Sequence, residues 1–138
     1  MNTQSDHTMF LRRSLQLDGG ASGLCGVLLL AGAEPVSTLI GLAEPRIARA
    51  VGALLVVYAA ALLWNGARAA ISRAEAMAAV VLNAGWVVGS AALILAGPLT
   101  TIGNLAVAAV AAAVLLFGAL EVVGLARVGA GSHGAPVV

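Results

Sequence analysis

The chain has 138 residues, of which 61% are hydrophobic and 9% charged, and its mean hydropathy is +1.03. A soluble domain of that length needs far more charge to cover its surface, so the composition excludes one and makes the lipid bilayer the chain's main partner. Seven arginines, no lysines and six carboxylates give a formal net charge of +1, which offers no basic surface to nucleic acid.

In chain order, residues 1–14 form a polar N-terminal tail ending near Arg12 and Arg13, and apolar segments follow over residues 15–33, 47–64, 77–97 and 102–126. Each is close to the roughly 20 residues that cross a bilayer as a helix. Residues 128–138 read as a flexible C-terminal tail. The expected fold is therefore all-α, a membrane four-helix bundle over residues 15–127. Local signals mark the helix ends. Gly32 ahead of Pro35, and Gly97 ahead of Pro98, each place a residue that tolerates a left-handed cap before one that cannot continue a helix. Pro45 suits the first turn of the second helix, and Ser72 with Glu75 has capping-box spacing before the third.

Arg12, Arg13, Arg68, Arg73 and Arg127 fall at one end of such a bundle, while Arg46 and Arg49 fall at the other. Arginine favours the cytoplasmic side, so both termini are expected in the cytoplasm, with these five arginines and Trp64 anchoring the helices at the interface. Trp86 lies deeper, where it packs inside. The uncharged link after Gly97 reads as a tight outward hairpin. The longer outward stretch EPVSTLIGLAEPR is either a plain loop or a segment lying along the interface, held by Glu34 and Glu44. Arg12 and Arg13 before a run ending in Ala31-Gly32-Ala33 also outline an export signal, but Asp18 interrupts the run and Pro35 crowds the cut, so the first helix is read as retained. Lysine avoidance beside abundant Ala, Gly and Val points to a GC-rich bacterial coding sequence, hence a bacterial inner membrane.

Residues 17–32 laid over 82–97 match without a gap at Leu17/Leu82, Gly20/Gly85, Leu28/Leu93 and the Leu-Ala-Gly that closes each, and Asp18 falls on Asn83. The second and fourth segments align less well, with Tyr58 on Phe117 and Ala67-Arg68 on Ala126-Arg127. The pattern is that of two tandem helix hairpins, parallel repeats about an axis along the membrane normal. Chance matching of Ala/Gly/Leu-rich spans is the alternative.

Polar groups in lipid are costly enough that each asks for a partner or a purpose. Asp18, Asn65, Asn83 and Glu121 all fall in the cytoplasmic third of the spans. They form either a proton or cation site, with Asp18 and Glu121 exchanging charge and the asparagines orienting the ligand, or a belt that sets helix register, with the carboxylates snorkelling to Arg13, Arg68 or Arg127. Gly19 with Gly23, Ser22 with Gly26, and Gly85 with Gly89 are spaced four apart, which puts each pair on one helix face and admits another backbone, within the monomer or from a second subunit.

No Ser/His/Asp set, HExxH, phosphate-cradling loop or cluster of metal ligands is present, so neither an enzyme nor a metal site is expected. The lone Cys25 excludes an intramolecular disulfide, and His7 and His133 in the tails leave no imidazole pair for haem; no cofactor is expected. The stretches LDGGASGLCGVLLLAG, GALLVVYAAALLWNGAR and LNAGWVVGSAALIL resemble the small, largely uncharacterised four-helix integral membrane proteins found in many bacteria. The resemblance covers residues 15–127 and implies an inner-membrane protein without an assigned reaction. The residues lead to the expectation of a structural or accessory protein acting by helix packing, alone or among the subunits of a membrane complex; the alternative is a small homo-oligomeric proton-coupled transporter or channel using Asp18 and Glu121. The topology has a direct check. With Cys25 replaced by serine, single cysteines introduced between Glu34 and Arg46 should react with a membrane-impermeant thiol reagent from outside the cell, and reaction only after lysis would overturn the assignment.

Overall fold

The computed structural model describes residues 3–131. Five helices follow one another: α1 (Thr3–Ala31), α2 (Ala33–Ile40), α3 (Pro45–Ala67), α4 (Arg73–Ala96) and α5 (Thr101–Gly131). Four of them, α1, α3, α4 and α5, are long and apolar enough to cross a membrane, and there is no strand among the described residues. The chain is an all-α membrane protein built as a four-helix bundle.

The two ends depart from the sequence reading. Residues 3–14, expected as a tail, are the first turns of α1, and His7 lies on that helix. The cause is packing rather than hydropathy. Leu11 and Leu15 are fully buried and form a core with Leu62, Ala76, Ala79 and Leu125, so the buried stripe of α1 runs on past the apolar segment. At the other end α5 extends through Gly131, and residues 132–138 of the expected flexible tail, His133 among them, lie outside the described residues.

The outward stretch is likewise helical in part. Gly32 is not left-handed (φ −112°), and its N–H still donates to the Leu28 carbonyl at 2.9 Å, so the chain bends there and continues into α2 with Pro35 in the first turn. The left-handed cap comes at Gly41 (φ 86°) instead. At this point α2 meets the α4–α5 link: Thr100 donates its N–H to the Ile40 carbonyl at 3.1 Å and its hydroxyl to the Leu39 carbonyl at 2.8 Å. The other signals behave as expected, with Gly97 left-handed (φ 73°), Pro45 opening α3, and the Glu75 N–H donating to Ser72 Oγ at 3.3 Å.

The spanning helices form a ring in the order α1, α3, α4, α5. Glycines set how closely its walls shut. A Cβ on Gly26 would stand 2.8 Å from the Gly52 carbonyl oxygen, and one on Gly23 3.2 Å from Ala59 Cβ, which clamps α1 to α3. Gly19 presses on Leu62 and Leu63 of the same wall, and Gly124 of α5 seats against Leu11. The α3–α4 wall is the loosest, with few points of contact. Gly85 and Gly89 differ from the α1 glycines: a Cβ on either meets no atom within 4 Å, so within one chain they pack on nothing. Gly26→Leu should therefore lower the unfolding temperature in detergent, at the cost of about 1–3 kcal/mol typical of overpacking, whereas Gly89→Leu should leave monomer stability within about 0.5 kcal/mol. Equal effects of the two would contradict this packing.

Candidate functional site

One side chain from each spanning helix meets at a single node. Asp18 comes from α1, Tyr58 from α3, Asn83 from α4 and Glu121 from α5. The Asn83 amide nitrogen donates to Asp18 Oδ2 at 2.9 Å and to Glu121 Oε2 at 3.2 Å, so both of its hydrogens are spent on carboxylates. The Tyr58 hydroxyl lies 3.0 Å from Asp18 Oδ2 and 2.9 Å from Asn83 Oδ1. Ser22, one turn beyond Asp18 on α1, donates to Asp18 Oδ1 at 3.0 Å.

Burial is close to complete. Asp18 and Glu121 have no exposed surface, Asn83 is 4% exposed, and only Tyr58 is half-buried. The two carboxylates are unequally served: Asp18 has two donors, Ser22 and Asn83, and shares the single Tyr58 hydrogen with Asn83 Oδ1, whereas Glu121 has one donor, and its Oε1 is buried without a hydrogen-bond partner. At 1.5 Å rise per residue, Asp18 lies about 8 Å along α1 from Arg13, and Glu121 about 9 Å along α5 from Arg127. Tyr58 and Asn83 stand about 15 Å from Arg68 and Arg73 on the same scale. The node is therefore off-centre, toward the arginine-rich end.

The snorkelling of these carboxylates to arginine does not occur. Arg68 pairs with Glu75 at 3.0 Å, Arg127 stacks 4.9 Å from the Phe10 ring centroid, and Arg12 donates to the Gly66 and Ala69 carbonyls. The ion pairs among the described residues, Arg46–Glu44, Arg49–Glu34 and Arg68–Glu75, all lie at helix ends. Asn65 also stands apart from the node. It closes the α3–α4 turn, accepting from the Ser72 N–H at 2.8 Å and donating to the Ser72 carbonyl at 3.1 Å, a local use of an asparagine amide in place of backbone pairing.

Among the expected helix-packing residues, Gly19, Gly23 and Gly26 lie at the α1–α3 contact, and Ser22 serves Asp18 rather than a close approach. Trp64 is 69% exposed and faces outward, and Trp86 is half-buried. Sequence reasoning missed Tyr58 as a site residue. Its signal was present: it is the chain's single tyrosine, a hydroxyl within an otherwise aliphatic run.

Chemically, the node joins two acidic groups through one amide in a buried interior, with no cationic side chain among their partners. Two negative charges so placed are unfavourable without a counter-charge, which a proton or a small cation can supply. Among the described residues no group of three or more His, Cys, Asp or Glu side chains could hold a metal ion. No known family, no curated protein and no solved structure matches the chain. Asn83→Ala should destabilise the bundle by about 1–3 kcal/mol or more, because it strips donors from two buried carboxylates at once. Thermal unfolding in micelles reads this, and an unchanged transition would mean that the amide bonds do not hold the node together.

Proposed function

We propose that this chain is a bacterial inner-membrane protein with both termini in the cytoplasm, and that the Asp18–Asn83–Glu121 node is a proton-exchanging site serving a small proton-coupled transporter or channel. One observation carries this reading: two fully buried carboxylates contact a single amide nitrogen and have no cationic partner. A residue set kept only for helix register needs no acidic pair, since two amides would pin the same helices without the cost of burying charge. Four helices rarely enclose a pathway alone, so the active form is a homo-oligomer.

A second reading, a structural or accessory subunit acting by helix packing, is favoured by one feature of α4. Gly85 and Gly89 leave a smooth strip beside the exposed Val81, Leu82 and Val88, against which a neighbouring helix could lie closely.

Purified protein in phospholipid vesicles containing a pH-sensitive dye separates the two. Under the transport reading an imposed pH step gives proton entry above that of empty vesicles, and Asp18→Asn or Glu121→Gln lowers the protein-dependent rate at least tenfold while the assembly keeps its size. Under the accessory reading the double neutralisation leaves the record unchanged, and Gly89→Leu instead dissociates a complex seen by native mass spectrometry.

A further inference from the structure

We infer that Glu121 is the carboxyl that holds the proton of the node, and that Asp18 stays ionised as its partner. The inference rests on the reading of the node as a proton site and names which of the two acids changes its charge. The hydrogen-bond inventory separates them. On Asp18, Oδ1 accepts from the Ser22 hydroxyl at 3.0 Å, while Oδ2 accepts from the Asn83 amide at 2.9 Å and shares the Tyr58 hydrogen at 3.0 Å. Donors aimed at both oxygens favour the charged form of a carboxyl. Glu121 has the opposite setting. Its Oε2 accepts one bond from Asn83, at 3.2 Å, and its Oε1 is buried with no donor at all. A charge on this side chain, which has no exposed surface, gives up its hydration and recovers little of it from the protein.

A second contact points the same way. The Glu121 and Asp18 carboxyls come within hydrogen-bonding reach of one another, and two ionised carboxyls have no hydrogen to place between them. A proton on Glu121 supplies that hydrogen, removes the charge from the poorly served group and leaves Asp18 as the acceptor. Placed on Asp18, the same proton would neutralise the carboxyl that already has its donors and leave the charge where there are fewest. The other titratable group near Glu121 is the Tyr58 hydroxyl of α3, and α4 contributes the uncharged Asn83 amide. Arg127, on the same helix as Glu121, is stacked on Phe10, and Arg68 of α3 is paired with Glu75. Loss of the Glu121 proton therefore sets two negative charges side by side, which makes the acid form of Glu121 the resting one.

Infrared spectra at neutral pH, taken in sugar-based detergent micelles that contribute no ester or acid carbonyl, test the assignment, because a protonated carboxyl has a carbonyl stretch distinct from that of a carboxylate. The chain has glutamate at 34, 44, 75 and 121 and aspartate at 6 and 18. Of the glutamates, Glu34, Glu44 and Glu75 each face an arginine. Cell-free synthesis with carboxyl-13C glutamate or carboxyl-13C aspartate shifts the stretch of the labelled acid alone. The expected result is an acid band that moves to lower frequency with labelled glutamate, is unmoved by labelled aspartate, and is lost in Glu121→Gln. The labelled wild-type chains keep the experiment decisive if Glu121→Gln does not fold. A band moved by labelled aspartate or by both labels, or no acid band, overturns the assignment; proton entry into the dye-loaded vesicles then shows whether the node still exchanges protons. A glutamate band together with entry no faster than that of empty vesicles overturns the exchange reading and leaves Glu121 as the protonated member.

Discussion

The bundle turns on the amide of Asn83. In a hydrocarbon interior a carboxylate without a donor is far costlier than an imperfect helix contact, so the helices that carry Asp18 and Glu121 are drawn to whatever supplies hydrogens. Asn83 supplies both of its own, at 2.9 and 3.2 Å. Since α1, α4 and α5 must each present one side chain to the same nitrogen, their relative rotation and depth are settled together. Apolar packing among near-uniform Ala, Leu and Val surfaces sets neither quantity sharply. Tyr58 adds the fourth helix to the node through its hydroxyl.

Glycine decides how near the helices come once the node has set their register. The α1–α3 wall is tight because Gly26 faces Gly52 and Gly23 faces Ala59. No comparable contact draws α3 to α4, which are joined by a short turn pinned by Asn65 and Ser72 and touch at few places beyond it. The same bundle thus has a sealed side and a looser one, and the half-buried member of the node stands on the looser one.

The positions matched between the two helix hairpins differ in chemistry. Asp18 and Asn83, aligned in sequence, are hydrogen-bonded to one another. On the other pair of helices Tyr58 aligns with Phe117, and the same offset puts Leu62 opposite Glu121. Aligned positions thus carry an acid and an amide, a phenol and a phenyl ring, a leucine and a glutamate, and the differing chemistry concentrates charge in one node.

The amino-acid sequence by itself determined the lipid setting, the four spans and most of their stops, because hydropathy, proline and glycine act over a few neighbouring residues. It also marked Asp18, Asn83 and Glu121, since any polar group inside an apolar run is conspicuous. Tertiary structure alone decided which of the marked residues meet. Asn65 lies on the same face of α3 as Tyr58, seven residues on, yet serves a local turn, because it stands about 10 Å nearer the helix end, where Ser72 meets it. Helix rotation separates the Gly85 and Gly89 pair, left facing outward, from the Gly23 and Gly26 face of α1 that is clamped to α3. The early start of α1 and the helical α2 were hidden for the same reason: each is held by contacts with distant segments, Leu11 with Gly124 and Ile40 with Thr100, that no local pattern encodes.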